Sequence, residues 1–196
     1  MASGTDGNII SYDASGNPVA IATGSDGQVL TSAGAGSPPA FAGMTSAGMP
    51  TGSIVSYKFV TVSPGAGGTS TSSTSYVEGN SGLRITHAMA ASGNKLIFSF
   101  YTIDTYITSS TTTHIAVTNL TDVTTNIMSP DRPLIYIKSH NGLEPHSVFG
   151  HQEYSPGSTS SITYCLSMKT GGSGTAYMNN TPAAGQMRFT LMEIKQ

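Results

Sequence analysis

The ten residues NKLIFSFYTI, positions 94–103, decide the fold class. Successive residues of an extended chain point to opposite sides, so Leu96, Phe98 and Phe100 share one face, which is assigned to the core. Ile97, Tyr101 and Ile103 fall on the other face, which is too apolar for plain exposure to water. A strand apolar on both faces in a small sandwich needs a second layer of cover. A subunit contact supplies that cover, and a closed oligomer is the expected form.

The same pattern extends through the rest of the chain from residue 53. SIVSYKFVTV (53–62), LRITHA (83–88), THIAV (113–117), PLIYIKS (133–139), SVFGHQEY (147–154), SITYCLSMKT (161–170), AYMNN (176–180) and QMRFTLMEIK (186–195) are rich in β-branched and aromatic residues. Clusters of Gly, Pro, Asn and Ser separate them. The last of these strands repeats the two-faced pattern, with Met187, Phe189 and Leu191 on one side and Met192 and Ile194 on the other. Eight or nine short strands with regular turn signals predict an all-β, jelly-roll-like antiparallel β-sandwich. Only HAMAASGN (87–94) and the stretch around Asn126–Met128 offer room for a single helical turn.

Residues 1–52 read differently. GTDGNIISYDASGNPVAIA (4–22) is echoed by GSDGQVLTSAGAGSPPAFA (24–42) at an offset of 20, matching Gly4 to Gly24, Asp6 to Asp26 and Pro18 to Pro38. Each copy reads as an Asp-Gly turn, a short extended segment and a loop ending at proline. The apolar residues Ile9, Ile10 and Tyr12, then Val29, Leu30 and Phe41, are too few for a core within either copy. Such a repeat borrows its cover from elsewhere, so 1–52 is expected to be an extended Gly/Ser-rich assembly arm and 53–196 a head domain.

Composition narrows the function classes. Only 9% of residues are charged and the formal net charge is −2, without a basic cluster, so the electrostatic footprint of nucleic-acid binding is missing. With a single cysteine, Cys165, an intramolecular disulfide cannot form. The start MASGTDGN has neither a basic nor an apolar signal region, and no apolar run approaches the roughly 20 residues that span a bilayer. A soluble protein without membrane insertion is expected.

The sequence contains no G-x-S-x-G, phosphate loop, H-E-x-x-H or C-x-x-C. TGGSGTAY (170–177) is Gly-rich but lacks the lysine of a phosphate loop and reads as a turn. His140, His146 and His151 fall within twelve residues, near Glu144 and Glu153, and imidazole with carboxylate can hold a divalent ion. Their spacing matches no metal motif, and His146 and His151 would lie on opposite faces of one strand, so surface or interface histidines are expected. Glu144 with Glu153, or Asp104 with Asp122, are the carboxylate pairs available for glycoside hydrolysis, and solvated carboxylates are the expected reading. Tyr76, Tyr106, Tyr154 and Tyr177 are the aromatic residues available to stack on sugars, and each reads equally as cover for the core. No enzyme activity and no cofactor are expected.

The arm repeat, above all GSDGQVLTSAGAGSPPAFA, resembles short repeats in structural proteins of tailed phages of aquatic bacteria, cyanobacteria included. SGLRITHAMAASGNKLIFSF (81–100), SPGSTSSITYCLSMKTGGSGTAYMNN (155–180) and the ending FTLMEIKQ (189–196) resemble a β-sandwich module near the ends of such proteins. The resemblance implies a virion component that forms a tumour-necrosis-factor-like homotrimer. Its implied roles are capsid decoration (a cement protein) or a tail-fibre or tailspike tip that recognises a host surface glycan. The shared motifs are turns and core strands, so no catalytic residue is implied. The short chain favours decoration, with the arm (Ile9, Ile10, Tyr12, Val29, Leu30, Phe41) on the major capsid protein at the outer shell. Ile97, Tyr101, Ile103, Met192 and Ile194 are then the expected subunit interface.

Overall fold

The computed structural model describes residues 5–44, 48–63, 68–108, 112–127, 135–138, 145–179 and 185–196. Among them the protein is all-β, its sheets antiparallel and without an α-helix. The chain divides into two compact units, Met1–Met49 and Pro50–Gln196.

The first unit holds two hairpins. In one, β1 (Ile9–Tyr12) pairs with β2 (Pro18–Ile21); in the other, β3 (Gln28–Thr31) pairs with β4 (Ala40–Gly43). The turn expected before each first strand is present, with Gly7 and Gly27 at φ 84° and 80°, a region that residues with a Cβ avoid. The segments expected to be loops ending at proline instead lead into second strands. The repeats also close in different registers: Ile10 faces Ala20, whereas Leu30 faces Phe41 rather than the equivalent Ala40. Asp13 sets the first register, its Oδ1 accepting from the N–H groups of Ser15 (2.9 Å) and Asn17 (2.8 Å) to tie a short loop. Ala33 stands at the matching position of the second copy and makes no such tie, so the loop there is longer.

The second unit has two six-stranded sheets sharing one hydrophobic core. In the first, β11 (Asp122–Asn126), β10 (Thr112–Asn119), β14 (Ile162–Thr170) and β7 (Val77–Glu78) lie side by side; β12 (Ile135–Lys138) also pairs with β10 and β8 (Arg84–His87) with β14. The second sheet has the order β5 (Ile54–Val62), β16 (Met187–Ile194), β9 (Lys95–Ile107), β15 (Ala176–Met178) and β6 (Thr69–Thr71), with β13 (His146–Tyr154) also on β9. Of residues 87–94, where a helical turn had room, His87 ends β8 and the rest form bends and a turn, and Asn126 ends a strand.

The core follows the alternation of β9. Leu96, Phe98 and Phe100 are buried, and Phe98 stacks on Phe189 at 5.8 Å and tilts against Tyr164 of the opposing sheet at 4.9 Å. Each fully buried Leu or Phe side chain contributes about 1.5–3 kcal/mol by leaving water. Gly150 has no side chain because the Phe100 ring occupies the space that a Cβ would take. A bulge interrupts β9 near its end. Asp104 adopts φ 52°, the pairing with β13 slips between His146 and Val148, and the inward phase moves to Thr105 and Ile107.

A carboxylate closes one end of the core. Glu193 is in phase with Met187, Phe189 and Leu191 and is 1% exposed. It accepts from Asn94 Nδ2 (2.6 Å), His87 Nε2 (2.8 Å) and the Ala90 N–H (2.9 Å). Burial pushes the Glu193 pKa up, but the donors of Asn94, His87 and Ala90 outweigh it and hold the group below its ordinary value.

Candidate interaction surface

The register places four strands across the outer side of the second head sheet. Tyr57, Met192, Ile97 and Glu153 form one row, and Thr61, Arg188, Tyr101 and Phe149 another. On this face Ile54, Tyr57, Phe59, Tyr101 and Phe149 are 53%, 51%, 52%, 41% and 66% exposed, while Ile97, Met192 and Ile194 are half-buried. Arg188 fixes the aromatic band at one side. Its guanidinium lies 4.3 Å from the Phe59 ring centre and donates to Tyr57 Oη at 3.1 Å. Ser99 and Thr190 hydrogen-bond side by side in the middle of the face. Side-chain contacts beneath the band are thus satisfied, and its aromatic surface is open to a partner.

Four of the five residues expected at a subunit interface, Ile97, Tyr101, Met192 and Ile194, share this face. Ile103 does not belong to the exposed band. It sits at the β9 bulge, 8% exposed, with its Cδ1 3.1 Å from where a Cβ on Gly185 would lie. Alternation alone missed Tyr57, Phe59 and Phe149. The signal for the first two was present in SIVSYKFVTV, whose aromatic residues flank Lys58 at positions of equal phase.

Lys58 explains how the edge next to this band is protected. It is exposed, and its ammonium donates to the Thr86 carbonyl of β8 at 2.8 Å. A lysine on an edge strand opposes pairing with a further strand. Tyr57, Phe59, Arg84 and Thr86 complete a shallow open cleft of about 400 Å³ there. Arg84 is occupied by Glu78 through two bonds of 2.5 and 2.6 Å.

In the first unit, Ile9, Ile10, Tyr12, Val29 and Leu30 are 39%, 60%, 65%, 40% and 45% exposed. Phe41 is different. It is half-buried, with its ring over Gly24, where a Cβ would come within 2.6 Å of Cγ.

The two described histidines of the candidate metal cluster do not converge. His146 and His151 point to opposite sides of β13, the latter exposed, while His140 and Glu144 lie outside the described residues. No group of three His, Cys, Asp or Glu side chains among the described residues is arranged to hold a metal ion. Glu153 faces Lys95 at 3.2 Å. Tyr76 is buried under the Lys169 ammonium, and burial pushes its hydroxyl up to about 12; Tyr106 and Tyr177 stack on each other at 4.8 Å. Burial likewise raises the Cys165 thiol, which contacts Thr118 Oγ1 at 3.2 Å. No helix among the described residues is long and apolar enough to cross a membrane. Compared with known proteins, the chain matches no family model and no curated protein.

Proposed function

We propose that the chain is a structural virion protein, a capsid decoration or cement protein. In this reading its head is a jelly-roll-like homotrimer joined through the aromatic face of β5, β16, β9 and β13. Its arm lies on the major capsid protein at the outer surface of the shell. The observation that carries the reading is the pair of hairpins in the first unit, which display Ile10, Tyr12 and Leu30 outward. Two short hairpins bury little by themselves, and laying their apolar residues on a lattice supplies the missing area. Three arms per trimer raise the effective concentration of each one. The resemblance of the repeat to phage structural proteins points the same way.

The exposed aromatic band with its arginine favours one second reading, a fibre or spike tip on which Tyr57, Phe59, Tyr101 and Phe149 stack on host surface glycans. Quantitative mass spectrometry of purified virions separates the two. Decoration requires hundreds of copies per particle, and tens or fewer contradict it. Removing residues 1–49 abolishes capsid binding while the head stays folded; a truncated chain that still decorates capsids defeats the role given to the arm.

A further inference from the structure

Six buried side-chain polar atoms among the described residues lack a hydrogen-bond partner, and four belong to three neighbouring residues: Asp104 Oδ2, His146 Nε2 and both amide atoms of Asn179. Folded proteins rarely leave such atoms unmatched, and rarely together. Asn179 is 1% exposed, so bulk water does not reach its amide.

The topology sets these residues side by side at the β9 bulge. His146 is the register partner of Thr105 on β13, and the Asn179 N–H at the end of β15 donates to the Ile103 carbonyl at 3.0 Å. Neighbouring strands lie about 4.8 Å apart, so the two backbones bracket Asp104 within reach of short side chains. Among the described residues, Asp104 and Asn179 are also the non-glycine residues with positive φ, 52° and 54°. That conformation is disfavoured for residues with a Cβ and is tolerated best by Asn and Asp. Backbone strain and unmatched polar atoms at one spot are the marks of a ligand site.

The geometry points to a divalent-cation site at this bulge, bound by Asp104 Oδ2, His146 Nε2 and Asn179 Oδ1. It does not depend on the virion reading. One carboxylate oxygen, one amide oxygen and one imidazole nitrogen suit a borderline ion such as Zn²⁺ or Mn²⁺, whereas Mg²⁺ and Ca²⁺ prefer oxygen ligands throughout. The Asn179 Nδ2 group donates to a water on the ion, so all four atoms find partners. Ligands from the ends of β13 and β15 and from β9 between them make the ion a clamp on three strands. A buried water is the competing occupant.

The full-length chain, stripped with chelator, is titrated separately with Zn²⁺, Mn²⁺ and Mg²⁺ by calorimetry and thermal unfolding. One Zn²⁺ or Mn²⁺ per chain, with a raised Tm that Mg²⁺ does not reproduce, is expected. Asp104→Asn, His146→Gln and Asn179→Ala each weaken binding at least tenfold, and His151→Gln leaves it unchanged. Absence of saturable binding, or binding lost in His151→Gln and kept in the other three, overturns the site. So does a water-filled pocket, seen as a stability change in Asp104→Asn with no response to metal in either chain. Should a variant fail to fold, the EPR spectrum of Mn²⁺ added to the wild type decides together with its Zn²⁺ isotherm, because unaltered aqueous Mn²⁺ with no saturable Zn²⁺ uptake rejects the site.

Discussion

The two head sheets present opposite solutions on their outer faces. On the first, Ala116, Thr118, Cys165 and Ser167 are small and fully buried, and Thr118 Oγ1 closes on Ser167 Oγ at 2.6 Å and Cys165 Sγ at 3.2 Å. On the second, the positions of equivalent phase carry Tyr57, Phe59, Tyr101 and Phe149, all more than two-fifths exposed. The first set is buried and hydrogen-bonded, whereas the second leaves apolar area exposed. Both sets lie on the backs of strands sharing one core, so under the proposed trimer the difference separates residues that maintain the fold from residues that serve association.

Substitutions sharpen that comparison in graded steps. Phe98→Ala removes a ring packed against Phe189, Tyr154 and Tyr164 and is expected to cost about 3–5 kcal/mol in urea unfolding. A loss below about 1 kcal/mol would show that the core lies elsewhere. Glu193→Ala strands His87 and Asn94 and is expected to cost about 3 kcal/mol, somewhat less than the ring. A carboxylate held below its ordinary value of 4.5 stabilises the fold above that pH, and its contribution is lost as pH falls through the depressed value. Unfolding midpoints between pH 6 and 3 should therefore fall more steeply in wild type than in Glu193→Ala.

On the self-satisfied outer face, Thr118→Val leaves Ser167 and Cys165 without a shared hydroxyl and is expected to cost about 1–2 kcal/mol. On the aromatic face, Phe149→Ser is expected to change the stability of the separated chain by less than about 0.5 kcal/mol. A Phe149→Ser cost as large as that of Thr118→Val would erase the distinction between the faces.

The sequence made the core legible where alternation was clean, as in Leu96, Phe98 and Phe100. It also marked Ile97 and Met192 as the backs of two-faced strands. Glu193 was legible in principle, because it falls in phase with Leu191, but a lone acidic residue near a chain end reads as solvated. The β9 bulge left no pattern to read. Asp104 in a left-handed conformation moves the inward phase from Thr102 to Thr105, and so withdraws Ile103 from the aromatic band. The strands β6 and β7 are two or three residues long and mostly polar or small, too short for a period to register. The arm repeat announced its turns through Asp-Gly, while its register depended on one side chain, Asp13, that the second copy lacks.

The central claim is that the aromatic face is where copies of the head meet. Sedimentation equilibrium of the full chain and of the double variant Tyr101→Ser/Phe149→Ser tests it most directly. A trimer in wild type and a folded monomer in the variant is the predicted result. Equal masses for the two chains, whether both assembled or both monomeric, would contradict it.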